Sequence, residues 1–220
     1  MSDHILAIET SSDACSVAVR DGARVIAREE VLPRRHQERL PVLIHELMEE
    51  SGVRRASLDA IVFGRGPGSF TGLRLAAATA QAWGMAGRLP VYPVSSLAAI
   101  ALRAVWARRD STQALNICTI VKARAGEVYV GNFAWDGQTL QSTATERRAQ
   151  AIEVAFDTNV DLAVGDGCLE VDCGQIPNEP RLLPSAEAVL ALIKTAEACE
   201  AAYALPVYLQ ADADWGAKTR

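Results

Sequence analysis

The sequence is poor in residues that usually hold metals or carry acid–base chemistry. It has three histidines in 220 residues, and no two of them are three or four positions apart, the spacing that places two imidazoles on one helix face. The five cysteines are odd in number and form no CxxC pair, so we expect reduced, mostly buried thiols rather than a zinc ribbon or a redox motif. A metal site is therefore not expected.

Long apolar runs and leader-like features are also missing. No stretch approaches the roughly 20 uninterrupted apolar residues that cross a bilayer, and Met1 leads straight into an apolar run without a basic region or a cleavage site. We therefore expect a cytosolic protein without membrane contact. The net charge of −5 repels a polyphosphate backbone, so a nucleic acid would have to be held mainly by another subunit.

Common catalytic signatures are absent from the sequence as well. It contains no GxSxG nucleophile elbow, no HExxH motif, no P-loop ending in Lys-Ser/Thr and no GxGxxG run. General-base catalysis by histidine thus has little support.

A regular alternation of strand and helix patterns runs through both halves of the chain. In the first half, Asp21-Gly22 is a strong hairpin signal, and Pro41 suggests that the regular part of the first helix begins near Leu40. Strands are predicted at residues 5–8, 15–19, 25–31, 59–64 and 91–94. Helices are predicted at residues 37–51, 71–87 and from 95 or 96 to about 108.

The second half repeats this order. Strands are predicted at residues 115–121, 127–135, 139–142 and 162–164, and helices at residues 145–156 and 185–199. Both halves run β-β-β-α-β-α, which matches a duplicated ribonuclease-H-like unit, the plan of actin-like (ASKHA) proteins. We predict this α/β fold with an N-terminal lobe at 1–108 and a smaller C-terminal lobe at 109–220, whose tail can return to the first lobe.

Three loops could hold a phosphate group. Gly66 and Gly68 lie in a glycine-rich junction between a buried strand and a helix start, where free N–H groups and the positive end of the helix dipole suit an anion. The hairpin at Thr10-Ser11 and the turn at Gly165-Asp166 are the other two candidates, with Lys122 and Arg124 nearby in the second half of the sequence. Ordinary tight turns, capped in the first case by Ser69 or Thr71, explain the same residues, so both interpretations stay open.

Seven segments together resemble a known family at matching intervals. The segments are ILAIETSS at 5–12, RRHQERL at 34–40, GRGPGSFTGLR at 64–74, VSSL at 94–97, RAGEVY at 124–129, VGDG at 164–167 and PVYL at 206–209. They resemble the TsaB (YeaZ) family over nearly the whole chain, and the GRGPGSFTGLR string is highly specific. Glu9 and Lys122 depart from the usual pattern, which more often has Asp at both places.

The resemblance implies a function without chemistry of its own. TsaB-like proteins support threonylcarbamoylation of adenosine 37 in tRNAs that read ANN codons, as scaffold partners of the catalytic subunit TsaD, which the ATPase TsaE joins. It implies no catalytic residue and no cofactor in this chain, and only indirect contact with tRNA. TsaD-like proteins carry an HxxxH pair after the second helix, where this chain has Ser95-Ser96-Leu97-Ala98-Ala99.

The resemblance also implies where the partner binds. It points to the helices at 40–48 and 71–87, with the interface formed by Leu40, Leu43, Leu47, Leu75, Ala76, Thr79, Ala80 and Trp83. The same surface could form a homodimer when TsaD is absent. The three loops described above, with Thr10-Ser11, with Gly66 and Gly68, and with Gly165-Asp166, would then be vestigial phosphate loops. We expect Ala80→Glu to leave the fold intact and to abolish partner binding.

Two enzyme hypotheses remain as alternatives at this point. An actin-like ATPase or phosphotransferase would bind Mg-ATP through Glu9, Thr10, Gly66, Gly68 and Asp166. A metallopeptidase is suggested by the historical label of the wider family, and the missing histidine pair argues against it.

Overall fold

The computed structural model describes residues 4–209, which contacts group into two compact units. The first unit consists of residues 4–99 and 183–207, and the second contains residues 100–182. The lobe boundary predicted between 108 and 109 stays a prediction. The polar end of the chain, residues 210–220, lies outside the described residues.

A five-stranded mixed sheet forms the centre of the first unit. Its strands are β1 (His4–Glu9), β2 (Ala14–Asp21), β3 (Arg24–Val31), β4 (Ala60–Gly66) and β5 (Val91–Ser95). The spatial order is β3-β2-β1-β4-β5, with antiparallel pairing among the first three strands and parallel pairing from β1 to β4 and from β4 to β5. Gly22, with φ of +58°, lies in the predicted β2–β3 hairpin. The carboxyl ends of β1 and β4 therefore lie side by side.

Helices cover both faces of this sheet. The helices of the chain are α1 (His36–Ser51), α2 (Phe70–Gly87), α3 (Ser96–Trp106) and α4 (Ala186–Ala191). Apolar residues of α1 and α2 share one core cluster with Val17 and Val19 of β2. Ser16 points to the opposite face, because side chains alternate along a strand, and its Oγ accepts a hydrogen bond from Ala186 N at the start of α4. Among residues 4–209, no helix combines the length and apolarity needed to cross a bilayer.

The first helix begins earlier than its proline suggests. Regular helix was expected near Leu40, but α1 starts at His36, and Pro41 lies inside it. A proline in the second turn costs one backbone hydrogen bond, which the burial of Leu40, Leu43 and Leu47 offsets. The helix ends where predicted, because Gly52 adopts the left-handed conformation that closes it.

A second mixed sheet forms the second unit. Its strands are β6 (Leu115–Lys122), β7 (Glu127–Trp135), β8 (Leu140–Ser142), β9 (Arg147–Gln150), β10 (Leu162–Val164) and β11 (Asn178–Glu179). The spatial order is β11-β10-β6-β7-β8, and β9 also pairs with β7. A core of small and β-branched side chains packs against it.

Two predictions for the second half are wrong in detail, and one strand was missed. The helix predicted at 145–156 is strand β9 followed by one 3₁₀ turn, because the first half of β7 takes β9 as its antiparallel partner. The helix predicted at 185–199 ends at Ala191 and lies in the first unit. Strand β11 was not predicted. The second βββαβα repeat is therefore incomplete, although its sheet is present.

Candidate functional site

The two loops at the carboxyl ends of β1 and β4 are joined to each other. The β1 loop contains Thr10 and Ser11, and the β4 loop runs from Gly66 to the start of α2. Thr10 Oγ1 donates to the carbonyl of Gly72 at 2.8 Å, and Ser69 N donates to the carbonyl of Ser11 at 2.7 Å. The structure thus brings Thr10 and Ser11 together with the glycine-rich junction, as one closed contact that we call the loop junction.

Glycine is required in this junction by the closeness of the two backbones. A Cβ on Gly68 would lie 2.4 Å from the carbonyl oxygen of Ser11, and one on Gly72 would lie 1.8 Å from that of Thr10. Gly66 has a φ of +97°, which favours glycine for a different reason. Ser69 caps α2, since its side chain accepts from Gly72 N at 3.5 Å. These glycines therefore serve loop-to-loop packing and the turn.

Glu9 lies beneath the junction and is fully buried. Its carboxylate accepts hydrogen bonds from Ser11 N at 2.6 Å and from Ser96 Oγ at 2.8 Å, while Ser96 Oγ in turn accepts from Gly66 N at 3.2 Å. Burial raises the pKa of Glu9 above the usual glutamate range, against the opposing effect of these hydrogen bonds. A Cβ on Gly64 would lie 1.8 Å from Glu9 Oε2. Glu9 thus ties β1, β4 and the start of α3 together.

Replacing this carboxyl group should change how stability depends on pH. The native state holds the Glu9 proton to a higher pH than the unfolded chain, which releases it near pH 4.5. The contribution of Glu9 to the wild-type free energy of unfolding is therefore fully present below that pH and is lost as the pH rises toward the raised native pKa. Glu9→Gln has no proton to lose. We therefore expect its free energy of unfolding to fall less than that of the wild type when the pH is raised from about 5 to about 8. Urea unfolding at both pH values measures these changes, and an equal change in the free energy of unfolding of the two proteins would contradict the prediction.

The third predicted loop belongs to the second unit and is anchored to β6. Asp166 Oδ1 accepts a hydrogen bond from Lys122 N at 2.9 Å, and a Cβ on Gly165 would lie 2.4 Å from the carbonyl oxygen of Ile120. Lys122 Nζ pairs with Glu170 at 2.7 Å, which raises the pKa of Lys122. Arg124 pairs with the buried carboxylate of Glu127. Each of these groups therefore has a structural partner within its own unit.

Most of the predicted interface residues are covered by the first unit's own core. Leu40, Leu43, Leu47, Ala76 and Ala80 are at most 1% exposed and belong to its main apolar cluster. A side chain with no exposed surface in the folded chain cannot offer that surface to a partner. Only Leu75, Thr79 and Trp83 among the predicted residues are partly exposed.

A different face of α2 is open. Successive helical residues are rotated by about 100°, so positions 75, 79, 82 and 86 fall on one side, opposite Ala76 and Ala80. We call this side the α2 outer face and define it by Leu75, Ala78, Thr79, Ala82 and Ala86. The three alanines are exposed and the other two residues are partly buried. Small side chains here let another helix approach closely.

Two aromatic residues of α2 also have exposed surface. Phe70, at the start of α2, is 55% exposed, and the Arg74 guanidinium lies 3.8 Å from its ring centroid. Trp83 carries the guanidinium of Arg55 at 5.0 Å from its ring centroid. Sequence reasoning missed Phe70, Arg74 and Arg55. An exposed aromatic at a helix start was the available signal for Phe70.

A cleft of about 550 Å³ adjoins the α2 outer face through Leu75. It is lined by Ser12, Asp13, Arg34, His36, Gln37, Ser69, Thr71, Gly72 and Leu75. These residues come from or directly follow three of the segments that carry the family resemblance. The described residues hold no group of three or more His, Cys, Asp or Glu side chains arranged to bind a metal ion.

Comparison with known proteins identifies a matching family and related sequences. Residues 26–164 match the model of the family described as "TsaD: tRNA N6-adenosine threonylcarbamoyltransferase". The chain is 30% identical to "tRNA threonylcarbamoyladenosine biosynthesis protein TsaB" of Escherichia coli K12, with 96% of each chain covered. It is 40% identical to the Haemophilus influenzae protein of the same name over 57% of this chain and 51% of that one.

Two solved structures are similar to this chain over nearly its whole length. A Pseudomonas aeruginosa protein described as uncharacterised, with similarity to peptidase YeaZ, is 35% identical and superposes with a TM-score of 0.87 over 96% of this chain and all of the other. The structure described as YeaZ from Pseudomonas aeruginosa is 34% identical, with a TM-score of 0.85 over 95% of this chain and all of the other. The predicted actin-like α/β fold is confirmed. The chain belongs to the TsaB (YeaZ) family.

Proposed function

We propose that this chain takes part in the biosynthesis of threonylcarbamoyladenosine in tRNA, as a non-catalytic subunit that pairs with a TsaD-like catalytic subunit. The pathway is the one named in its curated relatives. The chain acts in the cytoplasm on this account, and a TsaE-like ATPase joins the complex. Contact with tRNA is indirect, since a net charge of −5 disfavours a phosphate backbone.

The loop junction is the observation that carries the non-catalytic assignment. In an actin-like ATPase the loops at the carboxyl ends of the first strands must leave room for phosphate between them. Here Thr10 contacts the backbone of the first turn of α2 at 2.8 Å, and Ser11 contacts the backbone at the end of the β4 loop at 2.7 Å. Glu9, the first ligand expected for a metal-nucleotide, is buried beneath them and held by two hydrogen bonds. We regard these loops, and the anchored Gly165-Asp166 turn, as vestigial phosphate loops.

The α2 outer face supports the pairing. Leu75, Thr79 and Trp83 remain candidates from the sequence, and the exposed alanines between them add the close-approach surface. The adjoining cleft extends this surface to the start of α1, where Arg34 and His36 lie. A partner helix packed along α2 would bury the exposed alanines of the outer face. Partner residues next to that helix would then reach the cleft. The lone chain would use the same surface in a homodimer.

Pairing and nucleotide turnover separate this proposal from its enzyme alternative. Size-exclusion chromatography with light scattering should show a one-to-one complex when the chain is mixed with the TsaD-like subunit of the same bacterium. The isolated chain should not hydrolyse Mg-ATP. Turnover by the isolated chain that Asp166→Asn removes would overturn the non-catalytic assignment, and two separate peaks would overturn the pairing.

A further inference from the structure

Charge is distributed unevenly along this acidic chain. Residues 60–109, which include β4, α2, β5 and α3, contain six arginines and no aspartate or glutamate. The net charge of −5 therefore comes entirely from the rest of the chain. Arg74 is the only charged residue of α2. The helix that carries the α2 outer face thus lies in a basic stretch of an acidic protein.

Arg74 lies next to the α2 outer face. It precedes Ala78 by one helical turn and Ala82 by two, so the three residues form a row along the exposed side of the helix. Its guanidinium stacks on Phe70, at 3.8 Å from the ring centroid, and the Phe70 ring is itself exposed. A cation is therefore held beside two of the alanines that define the outer face.

Arg55 places a second cation near the same face. Trp83 follows Thr79 by one turn and Leu75 by two, which gives a second row along α2. The Arg55 guanidinium lies 5.0 Å from the centroid of the Trp83 ring. Each of the two rows of outer-face residues thus ends at a guanidinium stacked on an aromatic ring or begins with one.

A guanidinium stacked in this way is well suited to bind a carboxylate. The ring contacts the flat face of the group, whereas the N–H donors lie in its plane and match the two oxygens of a carboxylate. Stacking also restricts the side chain before binding, which reduces the entropy lost on contact. Arginine and tryptophan are the residues that most often dominate the affinity of protein interfaces.

We propose that the surface of the TsaD-like subunit that packs on the α2 outer face is acidic, with carboxylates that pair with Arg55 and Arg74. This inference rests on the proposed pairing and specifies its chemistry. At physiological salt the Debye length is about 8 Å, so the local cations govern the contact more than the net charge does. The exposed alanines and the half-buried Leu75 suit a partner helix better than a phosphate backbone.

Association kinetics at two salt concentrations test the proposal. The chain and the TsaD-like subunit are mixed at about 50 mM and about 500 mM NaCl, and the association rate constant should fall at least about tenfold at the higher salt. Arg55→Gln and Arg74→Gln should each slow association at low salt and flatten its dependence on salt. Arg74→Glu should slow it further, because it places like charges opposite each other.

Control variants separate charge from folding. Arg109→Gln removes a cation from the same basic stretch at an exposed position of the second unit, and it should leave the rate and its salt dependence unchanged. Arg74→Lys keeps the charge and should retain most of the low-salt rate. Every variant should keep the wild-type melting temperature, because the substituted side chains are exposed.

Other results would overturn the inference in distinguishable ways. A wild-type rate that is the same at both salt concentrations would exclude the acidic surface and leave the pairing intact, as would an equal effect of Arg74→Gln and Arg109→Gln. Weaker binding of unmodified tRNA to the complex of Arg74→Gln, with unchanged association of the two subunits, would assign the cation to the phosphate backbone instead. No complex at either salt concentration would overturn the pairing itself, and this inference with it.

Discussion

Ala80→Glu should unfold the protein, whereas Ala82→Glu should leave it folded and abolish partner binding. Ala80 has no exposed surface and contacts the core of the first unit, so a carboxylate there would be buried without a counter-charge. Such a burial costs more than about 3 kcal/mol of unfolding free energy. This reverses the expectation from sequence that Ala80→Glu spares the fold.

Ala82 is two residues away on the same helix and is exposed. A glutamate there adds a charge to the centre of the α2 outer face, where a partner helix would have to desolvate it. We expect an unchanged melting temperature and a loss of affinity for the TsaD-like subunit of about 100-fold or more. Thermal unfolding and calorimetric titration measure the two effects.

The matched control for the outer face is Ala107→Glu, the same change at an exposed alanine directly after α3. It should change neither the stability nor the affinity by a measurable amount. If Ala82→Glu binds the partner with wild-type affinity, the α2 outer face is not the interface.

Gly72→Ala should lower the free energy of unfolding by about 3 kcal/mol. The added Cβ would lie 1.8 Å from the carbonyl oxygen of Thr10, which is backbone and cannot rotate away. The two loops must then separate, and the hydrogen bond from Thr10 Oγ1 to the Gly72 carbonyl lengthens or breaks. Urea unfolding of both proteins measures the difference.

Gly87→Ala in the same helix controls for the propensity of alanine. There the new Cβ would meet only the Leu89 side chain, at 2.8 Å, which can move. We expect a change of no more than about 1 kcal/mol. Equal effects of the two substitutions would show that the loop junction does not depend on the close approach of the two backbones.

The first unit could be predicted from local signals because each of them acts within a few residues. The Asp21-Gly22 hairpin and the left-handed Gly52 each end an element at the predicted place, and Ser69, one of the two caps considered, begins α2. The period of the apolar residues then distinguished strand from helix.

The predictions for the second half were wrong where strand pairing with distant segments outweighed local helix propensity. Residues 145–156 are rich in alanine, arginine and glutamate, yet Arg147–Gln150 pairs along β7 and brings Arg148 to within 3.7 Å of the buried Glu127. The helix after Ser185 is short because the chain must become extended again, so that Cys199 can bridge Val91 at the edge of the first sheet. Neither partner lies close in sequence.

The exposed side of α2 could not be identified from the sequence for a related reason. A stripe of leucines and small residues has the same pattern whether it faces its own sheet or another protein. The buried Leu43 and Ala80 and the exposed Ala82 could be told apart only once the helices were placed on the sheet. The sequence marked the β1 and β4 loops as separate candidates, and it could not reveal that the two loops close on each other.

The most direct test of the account is a reconstituted tRNA threonylcarbamoylation assay. It contains the TsaD-like subunit, the TsaE-like ATPase, the enzyme that supplies threonylcarbamoyl-adenylate and unmodified tRNA, and it is run with wild-type chain, with Ala82→Glu and with no chain. The account predicts product only with the wild-type chain, and none when the TsaD-like subunit is left out. Full product without this chain, or product from this chain without the TsaD-like subunit, would contradict it.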